Sequence, residues 1–143
     1  SKAKEEMAGL VKDAKASTTP ILEDGDDFMQ GDLISKEAGI RNCADAEDLY
    51  NEMLSEFIAE HSNDISKIES ARAKDDLLTA QRLAHTLKSS STLVGALKLS
   101  AEAFAMEKDI SSNRRMPTDE DLQRLETVLE QSLAVIREMA ATV

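Results

Sequence analysis

The sequence predicts an all-α protein, an antiparallel up-down four-helix bundle with a short extra helix at its N-terminal side. Three observations carry that prediction. Breakers are scarce, with 5 Gly and 2 Pro in 143 residues. From Leu33 onward, apolar residues recur at three- and four-residue spacing, and no two-residue alternation marks a strand. Aromatics make up 3% and Trp is absent, so the core falls to Leu, Ile, Val, Ala and Met, most of them good helix formers. An apolar content of 41% is enough for the core of one domain.

The elements follow in order. Residues 1–16, SKAKEEMAGLVKDAKA, read as a short helix with no evident packing face. Residues 17–32, STTPILEDGDDFMQGD, carry Pro20, Gly25, Gly31 and several acids, and read as a linker. The chain therefore divides into an arm over 1–32 and the bundle over 33–143. The acidic run Asp24–Asp27 lacks the alternating ligand spacing and terminal Glu of a calcium loop.

Leu33 to Cys43 reads as the short helix, with Cys43 a small packing residue at its end. Asp45 is the expected N-cap of the next helix, with Asp48 three residues on. Leu49, Tyr50, Met53, Leu54, Phe57, Ile58, His61, Ile65 and Ile68 form its stripe to about Ala73, with a bend near Ser62-Asn63-Asp64. His61 falls at the border of that stripe. Asp75 is the expected cap of a helix that turns Leu77, Ala80, Leu83, Ala84, Leu87, Ser91 and Val94 inward and stops at Gly95. Ala96 to about Ser111 makes another, with Leu97, Ala101, Phe104 and Ile110 aligned. A turn spans Arg114 to Pro117. Thr118 caps the last helix, whose stripe is Leu122, Leu125, Leu129, Ser132, Leu133, Ile136 and Met139.

Charge and missing motifs exclude whole function classes. The net charge of -11 repels a nucleic-acid backbone and an anionic membrane surface alike. The longest apolar run, Leu93–Leu97, is far short of the ~20 residues a membrane span requires, so no membrane insertion is expected. No secretory leader is read at the start, and the single Cys43 forms no intrachain disulfide, which together suit a cytoplasmic setting. The chain opens on Ser1 rather than Met, as a piece of a longer protein would. The glycines are too far apart for a nucleotide-binding loop. There is no Cys pair and no H-E-x-x-H, so no metal or cofactor is expected in this domain. Most carboxylates fall on polar helix faces, where solvation explains them.

The remaining chemistry sits in AHTLKSSSTLVGA, Ala84 to Ala96. His85 shares a helix face with Leu78, Gln81, Arg82, Lys88, Ser89 and Thr92, and that face lies opposite the core stripe. A neutral imidazole is a nucleophile, and the neighbouring Lys88 and Arg82 make its surroundings read as cationic. Cations there also suit the oxygens of a transferred phosphoryl group. Ser89 is small enough to leave the ring approachable. Ser90 and Ser91 point toward the bundle, where a hydroxyl can bond back to a carbonyl one turn earlier.

The same stretch resembles the signature of histidine-containing phosphotransfer (HPt) domains, roughly H-x-L-K-G-S-x-x-x-hydrophobic-G-A. His85, Leu87, Lys88, Ser90, Val94, Gly95 and Ala96 fall where that pattern wants them. The likeness spreads over about residues 34–140. One position departs, for Ser89 stands where the family usually has Gly. The resemblance implies a four-helix bundle acting as a phosphorelay intermediate. His85 would accept a phosphoryl group through Nε2 from the aspartyl phosphate of a receiver domain and pass it to another receiver. Lys88 would hold the phosphoryl oxygens. Leu78, Gln81, Arg82, Ser89 and Thr92 would line the docking surface, with magnesium supplied by the receiver. The implied partners are response-regulator receivers and a hybrid sensor kinase in cis or trans. A second class stays open at this stage, a helical adaptor of the same fold with His85 inert.

Overall fold

The computed structural model describes residues 33–142. Readings that fall on residues 1–32 lie outside it. Among the described residues there are six helices and no strand: α1 (Lys36–Asn42), α2 (Glu47–His61), α3 (Asp64–Ala73), α4 (Leu77–Val94), α5 (Leu97–Asn113) and α6 (Asp119–Ala141). The expected break near Ser62 is real, so α2 and α3 together act as one bent helix. That bent helix, α4, α5 and α6 form the four-helix bundle, and α1 is the short extra helix. α4 packs against α5 and α3, while α6 packs against α2 and α5 and closes the ring. The antiparallel sense shows where Arg72 near the end of α3 bonds the Pro117 carbonyl at 3.1 Å and meets Asp119 at the start of α6 at 2.8 Å.

The stripes of α4 and α6 lie where their periodicity puts them. Ala80, Ala84, Leu87, Ser91 and Val94 are buried on α4, as are Leu122, Leu125, Leu129, Ser132, Leu133 and Ile136 on α6. α5 is a correction. Its buried line is Leu99, Ala103, Met106 and Ile110, whereas Phe104 is 51% exposed. The helix carries two apolar lines, and the aromatic ring drew the predicted stripe onto the wrong one. Leu49 is a smaller error of the same kind, exposed at the start of α2.

Both predicted Asp caps are displaced by one residue, for one reason. Asp45 has φ 62° and Asp75 has φ 56°, left-handed conformations that end the preceding helix. The Asp45 N–H donates back to the Ile40 carbonyl, and the Asp75 N–H to the Arg72 carbonyl. The start of the next helix then passes one position on. Asp76 caps α4 through its side chain, accepting from the Thr79 N–H at 3.1 Å, while Ala46 begins α2 with no side-chain cap. Thr118 caps α6 as expected, in a full capping box with Asp121.

The C-terminal end of α4 is held by α1 and α2. Gly95 adopts φ 84°, and the Ala96 N–H reaches back to the Ser91 carbonyl at 2.8 Å, a Schellman-type ending. The Ser35 N–H donates to the Gly95 carbonyl at 2.8 Å, and the Tyr50 hydroxyl donates to the Val94 carbonyl at 2.9 Å. The Asn42 amide bonds the Thr92 carbonyl at 3.0 Å. The carbonyls at this end of α4 thereby find partners, Val94 and Ser91 among them. Burial pushes the Tyr50 phenol up to about 12, with Cys43 adding to it, so the hydroxyl remains a donor. Gly39 permits the approach, because a Cβ there would collide with the Tyr50 ring and the Val94 carbonyl.

Two buried polar features differ from expectation. His61 is not at a border but wholly buried, with Nδ1 2.6 Å from buried Asp64 and its ring tilted against Phe57. Ser91 points inward, yet its hydroxyl finds no carbonyl one turn back and has no partner in the structure. Ser90 is only half-buried. Cys43 is buried at the end of α1, and burial pushes its thiol up.

Candidate functional site

The site lies on the outward face of α4 and the edge of α5. The core stripe of α4 fixes the orientation: with Ala84 and Leu87 buried, His85 must face away, and its side chain is 55% exposed. Two successive exposed turns bring Arg82, His85 and Ser89 to the surface, with Leu78 one turn further, 64% exposed. Gln81 and Thr92 are half-buried. The Thr92 hydroxyl is committed internally, donating to the Lys88 carbonyl at 2.8 Å and lying 2.6 Å from the Ser100 hydroxyl.

The two-residue turn at Gly95 and Ala96 folds α5 back along α4, and this brings in two residues that the sequence did not point to. Glu107 is the first. Its Oε2 lies 2.9 Å from His85 Nδ1, and its Oε1 lies 3.7 Å from the Lys88 ammonium. The carboxylate is largely buried, 17% exposed, and Oε1 has no hydrogen bond in the structure. Phe104 is the second, one turn before Glu107 on α5. The Lys88 nitrogen sits 5.4 Å from its ring centroid. Lys88, although on the outward face, is only 28% exposed.

This corrects the cationic surroundings expected for His85. The charged group touching the ring is a carboxylate, and Lys88 is drawn toward that same carboxylate. Arg82 stays exposed on α4. Glu107 stands 22 residues from His85, a separation that depends on how two helices are set against each other. No motif on α4 could have revealed it. The one available signal was a Glu on α5 about one helix length after the histidine, which is too common to single out.

The geometry has a definite chemical consequence. An ionised carboxylate can only accept, so Nδ1 carries the proton of the neutral ring. Nε2 is then the nitrogen with the free lone pair. A nucleophilic lone pair on an exposed ring, with its other nitrogen anchored and an ammonium one turn away, is equipped to attack an electrophile brought by another macromolecule. Among the described residues no group of three or more His, Cys, Asp or Glu is placed to hold a metal ion, and no helix is long and apolar enough to cross a membrane.

No curated protein and no solved structure matches the chain. A family model, the Hpt domain, matches residues 52–137, from within α2 to near the end of α6. That span covers His85, Lys88, Phe104 and Glu107 and exceeds half the chain. The protein belongs to the Hpt domain family, whose members act in phosphotransfer within two-component systems and interact with receiver domains.

Proposed function

We propose that this domain is a phosphorelay intermediate with His85 as phosphoacceptor. The observation that carries the reading is the His85–Glu107 contact, which anchors Nδ1 of an exposed ring and leaves Nε2 as the nucleophile. A receiver bearing an aspartyl phosphate docks over Leu78, Gln81, Arg82 and Ser89. The Nε2 lone pair attacks phosphorus in line, and the bond from phosphorus to the aspartyl oxygen breaks with its electron pair leaving on that carboxylate. The ring becomes a phosphoimidazolium whose Nδ1 proton remains against Glu107. Lys88 turns its N–H groups to the phosphoryl oxygens. The reverse sequence, with the aspartate of a second receiver attacking, returns His85 to its starting state. Magnesium is carried by the receiver, and the phosphoryl group originates in a sensor kinase, hybrid or separate.

Ser89 bears on docking. Its side chain is exposed beside His85, where a Gly would leave more room. Its hydroxymethyl group narrows the approach only slightly and adds a donor for a phosphoryl oxygen.

Incubation with a labelled phosphoreceiver and Mg²⁺ tests the reading. Label is expected to move to the domain as an acid-labile, base-stable phosphate and to vanish in His85→Gln. Equal labelling of that variant would sink the assignment. Tight receiver binding without any transfer would instead support an inert adaptor.

A further inference from the structure

The exposure of Phe104 calls for a cause. Phenylalanine is usually among the most buried residue types, and this ring is half in water on a helix that has its own intact apolar stripe. Its packing partner on the site side is an ammonium. The Lys88 nitrogen lies 5.4 Å from the ring centroid and 3.7 Å from Glu107 Oε1, so two neighbours one turn apart on α5 grip it. The grips differ in kind. A carboxylate attracts an ammonium by charge and takes up its N–H donors at hydrogen-bond distance; at 3.7 Å Glu107 Oε1 takes none. An aromatic face attracts the charge through its quadrupole and consumes no donor. A long, flexible lysine chain would otherwise sample many rotamers.

We propose that Phe104 is a positioning residue for phosphoryl transfer, its ring holding the Lys88 ammonium beside His85 with N–H donors free for the incoming phosphoryl oxygens. This rests on His85 being the phosphoacceptor. Phe104 touches neither substrate nor the reacting atoms and acts through Lys88. Without the ring, the ammonium would be free to close on Glu107, a carboxylate that already serves His85, and to spend its donors there; the aromatic face offers a second anchor from which the ammonium can turn to phosphate.

The test uses Phe104→Leu, Phe104→Tyr, Lys88→Ala and the double variant combining Phe104→Leu with Lys88→Ala, each in the full chain. Labelling is followed with phosphoramidate, whose P–N bond breaks to release ammonia as Nε2 bonds phosphorus and which needs no docking surface. Transfer from a phosphoreceiver is followed in parallel, separating the rate at saturation from the apparent affinity. Removing one cation–π contact is expected to slow both labelling and the saturated rate by about two- to fivefold. Affinity is expected to stay level, Phe104→Tyr to recover the rate, and Phe104→Leu to have no further effect once Lys88 is Ala. The Lys88 side-chain protons should also lose their ring-current shift in Phe104→Leu. A change in affinity alone would overturn the proposal and make Phe104 a docking anchor. An equal loss with and without Lys88, or an unchanged rate, would also overturn it. If the parent takes no label from either donor, the phosphoacceptor reading falls first. If the parent labels and Phe104→Leu matches it, only the role of Phe104 falls.

Discussion

One carboxylate serves both His85 and Lys88, and much of the site's behaviour follows from that sharing. The Glu107 contact to Nδ1 is a charge-assisted hydrogen bond, a class worth about 1.5–3 kcal/mol when made to a charged group. If it fixes the reactive tautomer, removing it should slow labelling of His85 by roughly ten- to a hundredfold, at about 1.4 kcal/mol per factor of ten. Glu107→Ala is expected to show that loss, while Glu107→Gln keeps an acceptor oxygen and loses less. Nitrogen-15 spectra of the imidazole should report a single Nδ1–H form in the parent and a tautomer mixture in Glu107→Ala. A fully labelled Glu107→Ala with an unchanged spectrum would show that the contact does not matter. His85, Lys88 and the small Ser89 were legible in the sequence because one helix carries all three and the period of the core stripe says which way they face. Glu107 and Phe104 were not, because their place depends on the alignment of α5 against α4, and no spacing within either helix encodes it.

The helix ends decide more of this fold than helix propensity does. Gly95 must be in the left-handed region, and a Cβ there would also drive into the Ser35 carbonyl. Left-handed backbone costs an L-residue about 1–2 kcal/mol before any collision is counted. Gly95→Ala should therefore lower the unfolding free energy by more than about 1 kcal/mol in urea titration. Amide exchange at Ser35 should quicken as its bond to the Gly95 carbonyl loosens. An unchanged midpoint would mean that α1 does not depend on this ending. At α6, the Thr118 N–H foremost, then its hydroxyl and the Arg124 and Arg115 guanidiniums, hold the Asp121 carboxyl below the usual carboxylate range, against a smaller upward push from burial. The sign follows directly. A carboxyl with a depressed folded pKa adds stability that is fully present above its unfolded value, near ~3.9, and is lost as pH falls through the folded value. Stability of the parent should thus decline on acidification below about pH 4, and Asp121→Asn should flatten part of that decline. An identical acid profile for the variant would remove Asp121 from the account. The caps also show what a sequence yields and what it withholds. Thr118 was readable because nothing precedes it but a turn. Asp45 and Asp75 misled because two acids or their neighbours compete at each joint, and which one takes the left-handed ending depends on how the preceding helix closes. The register of α5 failed for a related reason: Leu97, Ala101 and Phe104 make as good a line as Leu99, Ala103 and Met106, and only packing against α4 and α6 chooses between them.

At the scale of the molecule, the bundle is built from small and medium apolar side chains and carries a large excess of negative charge. Acids number 28 against 17 Lys and Arg in the whole chain, and 20 against 13 over residues 33–143, which hold the bundle. Two opposing effects then govern how stability responds to salt. The ion pairs on the surface, such as Lys36–Glu47 and Arg124–Glu102, are attractive and weaken as salt screens them. Each has a side chain more than half exposed, and such pairs are typically worth about 0–1 kcal/mol. The unpaired excess of acids repels itself, and the repulsion is greater in the compact state than in the extended chain. The excess of acids over residues 33–143, a net charge of -7, makes the second effect the larger. At roughly 0.01 M ionic strength the screening length is about 30 Å, comparable to a small domain, so most of the acids sense one another; at roughly 0.15 M it shrinks to about 8 Å and they do not. The urea midpoint is therefore expected to rise between those two ionic strengths with an unchanged slope, urea being chosen because it adds no ions of its own. A midpoint that falls with added salt would mean that the individual ion pairs outweigh the collective repulsion, and that the acidic surface helps hold the bundle together rather than straining it.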